Sequence, residues 1–224
     1  MKKKLLNRIM LKKLEIKIKK LTDKINFIKK REVQRKYNKN FDLLCEDTVV
    51  FKVGSDFVPV IDYLLEAIRN TRNKLTNETG FVFPLIRVLD YNDIQENELI
   101  VSIQGKDIYN EFFVCTKKEI EKETDKIIRK IYDEYLDEIF TNELLEKYIN
   151  QVSKKSGWLV WDILKVLLTS DLKYLLISLL KNGKSIKNIT NIFEKISDIL
   201  NYNYRFSSRM NLYSLERALN NLIL

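Results

Sequence analysis

With 224 residues, 45% of them hydrophobic, the chain is long enough for one domain or two small ones and apolar enough to bury a core, which excludes disorder throughout. Five glycines and two prolines leave little room for long structureless loops, and the lack of any histidine removes the commonest general base and the commonest zinc ligand together. The formal charge of +9 is unevenly placed: residues 1–40 carry sixteen Lys and Arg against Glu15, Asp23 and Glu32, a net of +13, which leaves −4 for residues 41–224.

Residues 3–37 contain neither Gly nor Pro and read as one long amphipathic helix, with Leu11, Leu14, Ile18, Leu21, Ile25 and Ile28 recurring at alternating spacings of three and four. Such a stripe needs a covering surface. The bland reading is packing on its own body or on another copy. An anionic membrane would suit the flanking Lys12, Lys13, Lys19 and Lys20, and nucleic acid fits less well because no base-reading motif is present. The N-terminus is not a signal peptide, since Asn7, Arg8, Lys12 and Lys13 interrupt the apolar run from Leu5. No stretch reaches the roughly 18 consecutive apolar residues of a membrane span; the best candidate, Trp158–Leu168, contains Asp162 and Lys165. A cytoplasmic protein is expected, soluble or peripheral to the inner face of the membrane, with Cys45 and Cys115 as reduced buried thiols.

Asn38–Asp47 is a polar connector, and a boundary near residue 40 is expected. Thr48–Val53 alternates like a strand. A helix follows with Leu64, Leu65, Ile68, the aliphatic stem of Arg72, and Leu75 on one face. Gly80 is expected in the left-handed position that ends this helix. Phe81–Leu89 and Glu98–Ile103 read as strands parted by a turn at Asp90-Tyr91-Asn92-Asp93, and Pro84 argues for an edge or a bulge. Gln104–Asp107 reads as a turn, with Ile108–Cys115 as the hairpin partner. From Lys117 the period is helical. Ile127, Ile128, Ile131, Tyr135 and Leu136 make one stripe and Leu144, Leu145, Tyr148 and Ile149 another, with a cap at Thr141-Asn142. Trp158–Leu168 and Leu172–Leu180 follow, ending at Asn182-Gly183, and Ser185 is expected to cap a helix carrying Ile189, Ile192, Phe193, Ile196, Ile199 and Leu200.

The expected fold is α+β and mostly α. It comprises a long basic N-terminal helix or arm (1–40), a small α/β subdomain of three to five strands with one main helix (41–118), a helical-bundle subdomain (119–200) and a reduced C-terminal helix (201–224).

The sequence holds no nucleophile–base pair, Gly-rich phosphate loop or metal-spaced ligand set, so a non-enzymatic protein without catalytic residues, metal or cofactor is expected. Asp133-Glu134 and Asp137-Glu138 read as a solvated helix face rather than an acid–base pair. Glu111, Phe112 and Phe113 could expose an aromatic patch, although packing under the bundle is favoured. Trp158 and Trp161 read as core or interface anchors rather than a cofactor box.

A longer pattern runs through these elements. Gly54, Val58, Pro59 and Asp62, then Leu64, Leu65, Ile68 and Arg72, then Gly80, Phe81, Val82, Pro84, Arg87, Val88, Asp90 and Asn92, then Asn97, Glu98, Ile103 and Gly105 follow in order without an insertion. Thr124, Leu144, Leu145, Glu146, Leu172, Leu175, Leu176, Leu179, Leu180, Ser185, Ile186, Ile192 and Glu194 continue it. This order resembles the cytoplasmic domain of the FlhA/InvA (FHIPEP) family of flagellar and type III secretion export-gate proteins. The resemblance implies a binding and assembly role in protein export, with export-apparatus proteins or further copies of the chain as partners. It makes Gly54, Pro59, Asp62, Arg72, Gly80, Pro84, Arg87 and Gly105 mainly structural motif positions, and Phe112, Phe113 and Thr124 candidate partner contacts.

There are departures. Asp125 stands where the family has a histidine, and the bridge from Phe113 to Thr124 is short where the family has an inserted segment that helps form its cleft for export chaperones and cargo. The family's multi-span membrane half has no counterpart among these residues. A stand-alone or degenerate relative is therefore expected, monomeric or a small oligomer, because untethered ring contacts must overcome the entropy of association unaided. The rival reading is an adaptor that uses the basic arm on a membrane or, less readily, on nucleic acid.

That rival has a direct test. Association with acidic vesicles or nucleic acid should fall steeply as salt rises to physiological strength and should vanish when Lys12, Lys13, Lys19 and Lys20 are changed to Glu. Salt-insensitive self-association would instead favour pairing through Leu14, Ile18, Leu21 and Ile25.

Overall fold

The computed structural model describes residues 47–114, 116–205 and 211–223. The expectations for the basic arm, with Lys12, Lys13, Lys19 and Lys20, and for Cys45 and Cys115 lie outside those residues.

Alternation places Val49, Phe51 and Val53 inward and Val50 and Lys52 outward, and this segment is the inner strand β1 (Val49–Val53). It pairs in parallel with β2 (Ile86–Asp90) and antiparallel with β3 (Glu98–Ile103), which pairs antiparallel with β4 (Lys106–Phe112), giving the order β2-β1-β3-β4. The parallel pair requires a crossover, supplied by a 3₁₀ segment (Ser55–Val60) and helix α1 (Ile61–Thr79). Leu64, Ala67, Ile68, Thr71 and Leu75 form the buried stripe of α1. Leu65 does not join it. Centred on Leu64 and Ile68, the stripe leaves Leu65 about 100° to one side, 44% exposed.

The strand expected from Phe81 begins only at Ile86. Phe81 and Phe83 are fully buried, but the backbone between them is hydrogen-bonded to side chains instead of a ladder: Val82 N donates to the Tyr148 hydroxyl at 2.8 Å, and Phe83 O accepts from Arg72 Nη2 at 2.8 Å. Pro84, lacking an N–H, falls just before the edge strand. The hairpin between β3 and β4 is tighter than the expected four-residue turn. Gln104 (φ +49°) and Gly105 (φ +79°) both take positive φ, the requirement of a two-residue type I′ loop, so Lys106 and Asp107 already pair with Ile103 and Ser102.

The rest is helical: α2 (Lys117–Glu134), a break at Tyr135, a short α3 (Leu136–Ile139), α4 (Asn142–Leu164), α5 (Thr169–Lys181), α6 (Ile189–Arg205) and α7 (Leu212–Leu222). Thr141 caps α4 as its spacing predicts, its hydroxyl accepting from Leu144 N at 3.2 Å. Ser156, at φ −150° and ψ 72°, kinks that helix. Ser185 does not cap α6. The Asn188 side chain does, accepting from Asn191 N at 3.3 Å, while the Ser185 hydroxyl donates to Thr79 O at 3.1 Å. Helices and sheet bury one continuous apolar cluster, from β1 and β3 through α1 and α2 to α4, α5, α6 and α7.

The two halves meet at Gly80. Its φ of +79° is the left-handed value foreseen for the end of α1, and its N–H donates to Thr76 O at 2.9 Å. A Cβ there would stand 2.3 Å from Lys187 N, because the loop before α6 crosses directly over it. Ile186 N donates to Thr79 O at 2.7 Å and the Tyr148 hydroxyl donates to Gly80 O at 2.8 Å. Burial pushes the Tyr148 hydroxyl up to about 12. A second tie joins α4 to α6: Asp162 accepts from Ser197 Oγ at 2.6 Å and Asn201 Nδ2 at 2.9 Å, and pairs with Lys165. The Lys165 hydrogen bond, helped by those from Ser197 and Asn201, holds the Asp162 carboxyl down to about 2.

Gly80 and Gly183 both have positive φ, but nothing lies within 4 Å of a Cβ built at Gly183. Gly183→Ala is therefore expected to cost about 1 kcal/mol for backbone strain alone, whereas Gly80→Ala adds a backbone clash and is expected to cost about 3 kcal/mol or more. Urea midpoints measure the difference, and equal midpoints would mean that the crossing loop does not crowd Gly80. For Asp162 the folded carboxyl is the more acidic one, so its contribution is present above the unfolded value of about 4 and is lost as pH falls through about 2. The melting temperature of wild type should exceed that of Asp162→Asn near neutral pH, with the two curves converging at the acid end.

Candidate partner-binding surfaces

The motif residues are distributed along the scaffold rather than gathered at a site. Gly54 has ordinary extended backbone, but a Cβ would meet Gln95 O at 2.1 Å and Glu96 O at 2.4 Å, so this glycine gives room where the end of β1 passes the turn before β3. Pro59 lies in the 3₁₀ segment and Asp62 in the first exposed turn of α1. Arg72, Gly80 and Pro84 converge on the stretch between α1 and β2. Burial holds the Arg72 guanidinium below its usual range, with Phe83 O as its acceptor. Arg87 is exposed on β2 and pairs with Asp47 at 2.8 Å, and Gly105 is remote in the β3–β4 turn.

Of the three candidate contacts, one is exposed. Phe112 is 56% exposed at the end of β4; Phe113 is buried edge-on against Phe57, with ring centroids 5.3 Å apart. Thr124 is fully buried on the inner face of α2, which removes it from any surface partner in this conformation; its hydroxyl has no hydrogen-bond partner among the described residues. The neighbouring Asp125 accepts from Thr71 Oγ1 at 3.2 Å and from Arg129 Nε at 3.0 Å, and Arg129 also forks onto Glu78 at 2.9 and 3.1 Å. Glu78, then Asp125, raise the Arg129 guanidinium above its usual value, and this network locks α1 to α2.

Trp158 and Trp161 are not core residues. They are 66% and 69% exposed, because the inward face of α4 beyond the kink is taken by Leu159, Val160 and Ile163. Both tryptophans fall one helical turn apart on the outside, with Lys165 Nζ 4.9 Å from the Trp161 ring centre. Val166 and Leu168, in the turn after the helix, are exposed as well. A second apolar surface, not foreseen from periodicity, is a groove of about 370 Å³ at the β2 edge, lined by Val53, Val58, Ile61, Leu65, Val88 and Asp90. The signal available in the sequence was helical geometry: Leu65 stands about 100° from Leu64 around the helix, off the line through Leu64 and Ile68.

The paired carboxylates are engaged in surface contacts: Glu134 accepts from the Tyr109 hydroxyl and Asp137 pairs with Lys181. Among the described residues no cluster of three or more Cys, Asp or Glu could hold a metal ion, and no helix is long and apolar enough to cross a membrane.

No family model and no curated protein matches the sequence. Solved structures do match in three dimensions. The Shigella flexneri MxiA protein aligns with 78% of this chain at 13% identity and a TM-score of 0.57, over 64% of its own length. CdsV of Chlamydia pneumoniae, solved in a complex with CdsO, aligns with 77% at 12% identity and a TM-score of 0.64, over 63% of its length. The nonameric EscV cytosolic domain from the type III secretion system aligns with 76% at 15% identity and a TM-score of 0.56, over 62% of its length. The chain thus spans somewhat less than two thirds of each. The connection from β4, ending at Phe112, to α2, starting at Lys117, is correspondingly brief. Motif order and three-dimensional likeness agree: the chain has the fold of the cytoplasmic domain of the FlhA/InvA export-gate family.

Proposed function

We propose that the chain is a non-enzymatic binding and assembly component of a type III or flagellar protein-export apparatus, working on the cytoplasmic side. The observation that carries this reading is the pairing of an export-gate fold with two uncovered apolar surfaces, at Trp158–Trp161 and at the β2 groove, on a body whose Asp125, Arg129, Glu78 and Arg72 are held in structural contacts. Exposed aromatic and aliphatic side chains in such patches are the ordinary mark of protein–protein contact. Partners are export-apparatus proteins or further copies of the chain. The short β4–α2 connection leaves little material for a chaperone cleft, so export chaperones with cargo bind weakly.

A second reading, an adaptor acting through the arm, is favoured by one observation, the +13 charge of residues 1–40. Pull-downs with export-apparatus proteins from the same cell separate the two. Capture is expected to survive removal of residues 1–40, and loss of all capture with the arm would favour the adaptor. Tight binding of an export chaperone by residues 41–224 would overturn the reduced-cleft reading.

A further inference from the structure

The face that α4 turns outward beyond its kink is apolar at its centre and basic at its ends. Trp158 and Trp161 are exposed there, and Val166 and Leu168 continue the apolar surface through the turn that follows. Lys154 and Lys155 precede the tryptophans across the kink and Lys165 follows one turn after, all exposed. From Gln151 to Ser170 the only carboxylate is Asp162. It is turned toward α6, where it accepts from Ser197 and Asn201, and only 15% of its side chain is exposed. We infer that this face docks on an anionic lipid bilayer, the indole rings entering the boundary between headgroups and acyl chains and the lysines meeting lipid phosphates. The inference goes beyond the export role and stands without it.

The chemistry of the face favours this occupant. Neither indole N–H has a hydrogen-bond partner among the described residues. A ring with an apolar body and a free N–H suits the membrane–water boundary, where the body meets acyl chains and the N–H meets ester oxygens and water. Lysine stems lie along apolar surface while their ammonium groups stay in the charged layer. A second copy offering the same face would set lysine against lysine. The β2 groove is lined in part by Asp90, and exposed Asp56, Asp62 and Glu66 neighbour its wall residues in sequence. An anionic bilayer repels that surface, so lipid selects the tryptophan face and leaves the groove to protein partners. A lysine near an anionic surface is worth about fivefold in partitioning, and three together roughly a hundredfold. The contact is therefore reversible rather than an anchor.

The two tryptophans are the only ones in the chain, so their emission reports this face alone. Vesicles of equal parts phosphatidylcholine and phosphatidylglycerol should shift the emission of the full chain to shorter wavelength, and bromine atoms on the acyl chains should quench it. Vesicles of phosphatidylcholine alone should do neither, and rising salt should weaken both effects. Lys12→Glu, Lys13→Glu, Lys19→Glu and Lys20→Glu together remove the arm as a second source of vesicle binding. At saturating lipid this variant should keep the shift and the quenching. In that background Lys154→Glu with Lys155→Glu should weaken partitioning at least about twentyfold, and Trp158→Ala with Trp161→Ala should stop the chain floating with the vesicles. Trp158→Phe and Trp161→Phe each leave one reporter, which should still shift. These α4 positions are exposed, so the circular dichroism of each variant should match the wild type.

The inference is overturned if the chain floats with the acidic vesicles while its emission stays unshifted and unquenched, since the arm then holds the lipid and the face does not. It is overturned equally if phosphatidylcholine alone gives the same shift, if the shift vanishes with the arm charges, or if Lys154→Glu with Lys155→Glu leaves partitioning unchanged. A shift that grows with protein concentration in the absence of vesicles would give the face to a second copy. One that requires an acidic export-apparatus protein instead of lipid would give it to that protein.

Discussion

The end of α1 at Thr79-Gly80 is the constraint on which the body depends. Thr79 O accepts from both Ile186 N and Ser185 Oγ, Gly80 O accepts from the Tyr148 hydroxyl, and the same hydroxyl accepts from Val82 N. One reversal of the backbone thus ties α1 and the approach to β2 to two parts remote in sequence, α4 and the loop before α6. Only a residue without Cβ permits both the positive φ and the passage of Lys187 overhead. Tyr148 sits in this junction as a small hydrogen-bonded hub whose hydroxyl is both donor and acceptor.

Around that hub the aromatic side chains pack as a group. Phe81 lies 5.7 Å from Phe140 and 5.6 Å from Tyr132, and Phe140 stacks on Tyr148 at 5.9 Å. These rings fill the volume between the sheet half and the helical half, where no ladder or helix hydrogen bonds can cross. The Arg129 fork to Glu78 and Asp125 adds geometric definition to the α1–α2 contact more than energy, because it is partly exposed. Gln104 Nε2, donating to Glu138 O at 2.9 Å, ties the hairpin tip to α3 in the same way.

Locking the interior in this manner separates scaffold from surface. Gly54, Arg72, Gly80 and Gly105 satisfy backbone geometry and buried acceptors, while two groups of large apolar side chains stay uncovered on the outside of α4 and at the β2 edge. An edge strand next to a half-covered helix start is a place where a sheet invites a partner, and Pro84 and the charged Arg87 limit unspecific pairing there. Binding specificity on such a body comes from shape and rim charge, not from a reactive group.

Much of this was legible in the amino-acid sequence. The strict alternation of Val49, Phe51 and Val53, the 3.6-residue stripe through Leu64, Ile68 and Leu75, the left-handed glycine after α1 and the Thr141 cap are local signals, because each depends on spacings of a few residues that backbone geometry fixes by itself. Residue order also sufficed for the family fold. Only the tertiary structure decided where side chains made by such local rules end up. Phe81–Leu85 failed to become strand because Tyr148 and Arg72, far away in the chain, claim its backbone groups; Thr124 and Phe113 turned inward because α1 and the 3₁₀ segment cover them; and Trp158 and Trp161 turned outward because Leu159, Val160 and Ile163 already occupied the inner face. Large apolar residues read as core by composition, but burial is settled by which face of an element meets another element, and that is a property of the assembled fold.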